Sequence, residues 1–142
     1  MTQPAQSSGR FLALRLTPGE NLMTALRAAF DDSGAQAMAV VTCVGNLTAV
    51  RLRHANRDEG TDYSGHFEIT ALSGTIDPAG QHLHLSIADG EGRCFGGHLL
   101  AEGSAIYTTA EIVLVALPDL RFSRAPCPLS GYAELVVTPA GR

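Results

Sequence analysis

Hydrophobic and polar positions alternate along most of this chain. Between residues 10 and 16, Leu12, Leu14 and Leu16 share one face of an extended segment, which is typical of a strand with one buried face. The segments 37–44 and 111–117 are continuous apolar runs, as in strands covered on both faces. Together with similar segments between and after them, the pattern predicts about eight short strands.

One segment has helical periodicity instead. Thr17 and Glu20 have the spacing of a capping box, and Pro18 suits the first helical position. Gly34 suits the left-handed residue that follows a helix. An apolar stripe at helical spacing lies between them and consists of Leu22, Leu26, Ala29 and Phe30. We predict one main helix over about 18–33.

These elements predict an α+β fold with a mostly antiparallel sheet, because a single helix among the strands excludes repeated βαβ units. Gly45-Asn46 indicates a hairpin after the first apolar run, and the polar stretch 55–65 indicates a loop. We expect a single domain over 10–138, with a polar, disordered tail at 1–9 and a short tail at 139–142.

Composition limits the function classes. The formal net charge is −4, and all ten basic residues are arginine without a basic run, so the footprint of a strong DNA binder is missing. Arg51, Arg53 and Arg57 lie close together, either as a local basic patch or as a solvated strand face. Three widely spaced cysteines favour reduced thiols and a cytoplasmic protein. No apolar run is long enough to cross a membrane, and no secretory signal is expected.

Three of the five histidines lie within residues 82–98. His82 and His84 point to the same face of a strand because they are two residues apart. A turn centred on Glu91 would place His84 directly opposite His98 on the returning strand. A shift of that centre by half a residue would move His98 to the other face of the hairpin. A bulge at Gly96-Gly97 would restore or destroy the pairing of His84 with His98.

Three imidazoles with one open position are a known zinc arrangement, and nickel, copper or iron would also accept them. Glu68 and Glu111 are candidate fourth ligands or partners of the ligands, or plain strand-face carboxylates. The alternative is three surface or interface histidines with ordinary hydrogen bonds. A catalytic pairing of Cys94 with a histidine is a weaker alternative, since nothing marks that thiol as activated. His54 and His66 have no evident partners.

Several segments together resemble the PPC domain (plants and prokaryotes conserved, DUF296). The family's G-x-F-E-I strand, H-x-H strand, G-G-H-L segment and T-x-E-I strand correspond to Gly65–Gly74, His82–His84, Gly96–Leu99 and Thr109–Ile112. The resemblance extends over roughly residues 10 to 137. It departs from the plant pattern at His66, where that strand usually carries arginine.

The resemblance implies an α+β domain that forms a homotrimer, with His82, His84 and His98 holding zinc as in some members. It also implies DNA-associated regulation or protein-partner binding. Plant members hold DNA mainly through an AT-hook with an R-G-R-P core, which this sequence lacks. The leading interpretation is therefore a DNA-binding or regulatory homotrimeric module with a three-histidine metal site. The alternatives are a small zinc-dependent enzyme that activates water, and a structural oligomer with histidines at its subunit interface.

Overall fold

A computed structural model describes residues 3–141 and confirms the α+β fold class with a mostly antiparallel sheet. It has one helix and eight strands within that range. The elements are β1 (Arg10–Leu16), α1 (Leu22–Ser33), β2 (Met38–Arg53), β3 (Thr61–Asp77), β4 (Gly80–Ala88), β5 (Cys94–Leu99), β6 (Ala105–Ala116), β7 (Leu120–Pro126) and β8 (Ala133–Pro139).

Six strands form one antiparallel sheet in the order β1-β6-β2-β3-β4-β5. The end of β2 also pairs with β5, at Leu52↔Leu99 and Arg53↔His98. Strands β2, β3, β4 and β5 therefore close on themselves as a small barrel, which removes two exposed edges. The pair β7-β8 forms a separate two-stranded sheet.

The core fills the inside of this barrel and the space under the helix. Strand alternation sends Leu83, Leu85 and Ile87 inward from β4, and all three are at most 1% exposed. The helix adds Leu22 and Leu26, both fully buried, to the same cluster. Because the even-numbered positions His82 and His84 alternate with these residues, they project from the outer face.

The helix begins four residues later than predicted. Its N-cap is Asn21, whose side chain accepts from the N–H of Thr24 at 2.9 Å. Gly19 has a φ of +87°, which a helix cannot accommodate, so Thr17 and Glu20 form a hydrogen-bonded turn before the helix. The predicted end is confirmed, since Gly34 is the left-handed cap with a φ of +68°.

The predicted hairpin at Gly45-Asn46 is wrong, because β2 continues through it. A Cβ at residue 45 would lie 2.1 Å from the carbonyl oxygen of Thr109. Glycine is therefore needed here because β2 and β6 approach each other closely. Register shifts on either side of Leu47 let β2 bend between its two neighbours. The predicted loop 55–65 is also shorter, since β3 begins at Thr61.

The limits of the single domain remain a prediction. Residues 1–2 and 142, which belong to the two predicted tails, lie outside the described residues. Within them, Ser8 donates through its N–H and its hydroxyl to a carboxylate oxygen of Asp119, at 2.8 and 2.7 Å. No helix among the described residues is both long and apolar enough to span a membrane.

Candidate metal centre

The three histidines meet on the outer face of the β4-β5 hairpin. His84 pairs with His98 across the ladder, as the sequence predicts, and no register shift interrupts this strand pair. The ring centroids lie 5.1 Å apart for His82 and His84, 5.2 Å for His82 and His98, and 5.8 Å for His84 and His98. One ligating nitrogen from each ring lies within 4.8 Å of the others.

The turn between β4 and β5 fixes this register. The carboxylate of Asp89 accepts from the backbone N–H groups of Glu91 and Arg93, at 2.9 and 3.0 Å. These hydrogen bonds hold the pKa of Asp89 below its usual range. The turn is therefore an Asx-type turn that closes the hairpin around Glu91 and aligns the two strands.

Two glycines bring His98 close to its neighbours. A Cβ at Gly96 would lie 2.3 Å from the carbonyl oxygen of Leu85 on β4. A Cβ at Gly97 would lie 2.7 Å from the carbonyl oxygen of Arg53 on β2. The Gly-Gly pair thus lets β5 fit tightly between two strands, so that it completes the barrel.

The surroundings lower the pKa values of two of the rings, which favours their neutral form. Burial, and then the charge of Arg53, lowers the pKa of His98 to about 4. Burial and the neighbouring His84 also lower the pKa of His82, against the opposing effect of Glu134. A neutral imidazole has a free lone pair, which is the form that binds a metal.

No protein atom within residues 3–141 forms a hydrogen bond with the three clustered rings. The ring of His54, by contrast, is hydrogen-bonded on both nitrogens: Nδ1 lies 3.0 Å from the Gly96 carbonyl oxygen and Nε2 lies 2.6 Å from the Tyr63 hydroxyl. His66 instead stacks on Tyr107 with a centroid distance of 4.4 Å. The three clustered rings are therefore free to coordinate an ion.

Two open cavities border the cluster. One of about 410 Å³ lies towards β7 and β8, and its walls include His82, His98, Arg53, Arg124 and Glu134. The other, of about 540 Å³, lies towards the segment after β2, and its walls include all three histidines, Arg53 and Arg57. A ligand or a water molecule has access to the cluster from both sides.

The structure does not bring the other sequence candidates to this site. Glu68 pairs with Ala88 on β4 and lines neither cavity. Glu111 lies opposite Arg15 and lines a separate cavity on β6. The exposed Cys94 lies at the far end of the hairpin, with its thiol 3.8 Å from the Gly92 carbonyl oxygen. These residues are strand-face or turn side chains, and the cluster is composed of imidazoles.

Sequence reasoning missed the neighbours of the histidines. Arg53 is recognised only as part of a possible basic patch, although it lies beside His98 on the adjacent strand. Glu134 and Arg124 arrive from the β7-β8 hairpin, and no local pattern links them to the histidines. His54 holds the Gly96 carbonyl, a role that depends on the β2-β5 pairing at the barrel seam.

The geometry defines an α+β domain with a closed antiparallel barrel that carries three clustered imidazoles on one hairpin, two of them exposed and that of His98 half-buried. This chain belongs to the Plants and Prokaryotes Conserved (PCC) domain family, whose sequence model matches residues 3–118. The family predicted from the sequence motifs is thereby confirmed.

Similar proteins fall into two groups. The bifunctional protein GlmU of Synechococcus sp. (strain JA-2-3B'a(2-13)) is 46% identical over 126 residues, which are 89% of this chain and 20% of GlmU. AT-hook motif nuclear-localized protein 13 of Arabidopsis thaliana is 33% identical over 142 residues, which cover 89% of this chain and 30% of that protein. The chain thus spans about a fifth to a third of the length of these relatives.

Solved structures share the fold over nearly the whole chain. A hypothetical protein from Salmonella enterica superposes with a TM-score of 0.92 and 41% identity, over 95% of this chain and 97% of that one. The metal-containing protein AF0104 from Archaeoglobus fulgidus superposes with a TM-score of 0.80 and 19% identity, over 95% and 99%. The second likeness shows the fold alone.

Proposed function

We propose that this chain is a PCC-domain module that holds a divalent transition metal, zinc in the simplest case, on His82, His84 and His98. The observation that carries the proposal is that three ligating nitrogens lie within 4.8 Å of one another. The nitrogens around a tetrahedral zinc ion are about 3.4 Å apart, so small side-chain rotations suffice. The name of AF0104 as a metal-containing protein of the same fold supports the proposal.

Elemental analysis of untagged protein, purified without chelators, tests the site. We expect about one metal ion per chain, and a loss of it in the variants His84→Ala and His98→Ala. His66→Ala is the matched control, because His66 lies elsewhere and stacks on Tyr107. Metal-free wild-type protein, or unchanged metal content in His84→Ala, would contradict the proposal.

We further propose that the module assembles as a homotrimer, as the family resemblance implies. Exposed apolar side chains on the outer face of the β1-β6-β2 part of the sheet support a partner surface, since Phe11 is 67% and Val44 53% exposed. Light scattering should give three times the chain mass of 14.9 kDa. A mass of one chain at micromolar concentration would refute the assembly.

The biological role that we propose is DNA-associated regulation, supported by the Arabidopsis relative that carries an AT-hook. This chain has a net charge of −4, so any direct contact must use local arginines such as Arg53 and Arg57. Two or three phosphate contacts would give a shallow salt dependence, with a slope of about −2 to −3. A mobility-shift titration over a salt series measures it, and the absence of a shift at low salt with any duplex would exclude direct binding.

Metal-assisted hydrolysis is a second candidate function, favoured by the open cavity beside His82. A bound zinc ion supplies Lewis acidity and lowers the pKa of a water molecule. Glu134 is the acidic residue among the described residues of that cavity wall, so it would accept the proton. Zinc-loaded protein should then hydrolyse p-nitrophenyl acetate, and equal rates for Glu134→Gln and the wild type would argue against this role.

A further inference from the structure

Arg53 extends the row of histidines across a third strand. His84 on β4 faces His98 on β5, and His98 in turn faces Arg53 on β2. Directly opposed residues of antiparallel strands point to the same side of the sheet, so these side chains share the outer face of the barrel. Arg53 also lines the two cavities that border the histidines, and one of them has all three rings in its wall.

The guanidinium of Arg53 has no acidic partner among residues 3–141. Among the described residues, Arg27, Arg51, Arg93 and Arg124 pair with carboxylates, whereas Arg53 belongs to the arginines that do not. Arg53 is exposed and lines both cavities beside the histidines. Arg53 therefore borders the space where a ligand of the site would lie, without a carboxylate partner among the described residues.

An unpaired arginine beside a metal site creates an excess of positive charge. Three neutral imidazoles do not offset the charge of a divalent ion, and Arg53 adds one more unit. Glu134 is the acidic side chain in the wall of the smaller cavity, so a net positive charge remains. Such a site favours an oxyanion, which can bind a metal through one oxygen and a guanidinium through another.

We infer that Arg53 and the metal on the three histidines together hold a small-molecule carboxylate. This inference rests on the proposed metal site. The cavity of about 410 Å³ is within the range of small-molecule pockets. A carboxylate has two oxygens in one plane, so one oxygen can bind the metal while the other accepts from the planar guanidinium.

Cobalt-loaded protein and acetate provide the test. Co²⁺ has visible absorption bands that change when its fourth ligand changes, so acetate titrated into the loaded wild type should shift the spectrum with saturation. In Arg53→Gln we expect the acetate dissociation constant to rise about tenfold or more, since a charge-assisted hydrogen bond is lost. The acetate dissociation constant of Arg53→Lys should lie between those of the wild type and Arg53→Gln, because lysine keeps the charge and lacks the planar guanidinium.

Arg121→Gln is the matched control, because this exposed arginine on β7 lines neither cavity and its replacement removes the same charge. Circular dichroism and Co²⁺ binding show whether each variant is folded and loaded. A protein that binds no Co²⁺ would refute the metal site together with this inference. Three results would refute the inference alone. These are a cobalt-loaded wild type whose spectrum does not change with acetate, an Arg53→Gln variant that binds acetate as tightly as the wild type, and a wild type that binds inorganic phosphate more tightly than acetate.

Discussion

Replacing Arg124 with methionine is expected to destabilise the fold by about 3 kcal/mol. The Nε of Arg124 lies 2.8 Å from a carboxylate oxygen of Asp77, whose side chain is fully buried. This ion pair connects β7 to the end of β3 and fixes one wall of the cavity beside His82. The variant removes the charge and keeps most of the apolar stem.

The magnitude follows from what remains around the carboxylate. Loss of one partner of a buried ion pair costs about 3–5 kcal/mol, because the other charge is left buried. Asp77 keeps two hydrogen bonds, from the N–H groups of Ala79 at 2.8 Å and Gly80 at 3.0 Å, which places the cost at the lower end. For 142 residues the unfolding entropy is about 0.3 kcal/mol/K, so the melting temperature should fall by about 10 °C.

Thermal and urea denaturation of the metal-free protein measure this cost. Arg121→Met is the control, because Arg121 lies on the same strand, is exposed and should change stability by less than about 0.5 kcal/mol. The double variant Asp77→Asn with Arg124→Met should recover part of the loss, since the buried charge is then absent. A loss below about 1 kcal/mol for Arg124→Met, or one equal to the control, would refute the reasoning.

Three further predictions follow from local geometry. Gly97→Ala should lower the free energy of unfolding by about 2 kcal/mol and weaken metal binding, because its Cβ would lie 2.7 Å from the Arg53 carbonyl oxygen. Gly80→Ala is the control, since its Cβ would meet no atom within 4 Å and its stability should be unchanged. Equal melting temperatures for the two variants would contradict this prediction. Asn21→Ala should cost about 1 kcal/mol by removing the helix N-cap, measured by urea denaturation. The pKa of His98 is lowered from 6.5 to about 4, so between these pH values the folded state binds fewer protons than the unfolded state. Metal-free protein should therefore lose stability as the pH falls from 6.5 to 4. An equally steep loss of stability in His98→Gln would contradict this prediction.

Local sequence patterns were sufficient for the features that depend on a few neighbouring residues. The alternation around His82 and His84 set their common face, and the Asp-Gly-Glu-Gly turn set the pairing of His84 with His98. The left-handed glycine that ends the helix, Gly34, was likewise predictable from the residues next to it. In each case the side-chain period or the turn chemistry is decided within about ten residues of chain.

Features that depend on distant strands were not predictable in this way. Gly45-Asn46 has the composition of a tight turn, yet the contact of Gly45 with Thr109 on β6 keeps it within a strand. Arg53 joins the site only because β5 returns to pair with β2 and closes the barrel. Glu134 lies on a hairpin that packs back over the site, so its place depends on tertiary structure alone.

X-ray absorption spectroscopy of the zinc-loaded protein tests the central claim most directly, because it reports the atoms bound to the metal. The account predicts three imidazole nitrogens at about 2.0 Å and one further light atom, with one imidazole lost in His98→Ala. A sulfur neighbour at about 2.3 Å, or fewer than three imidazoles in the wild type, would contradict the three-histidine site.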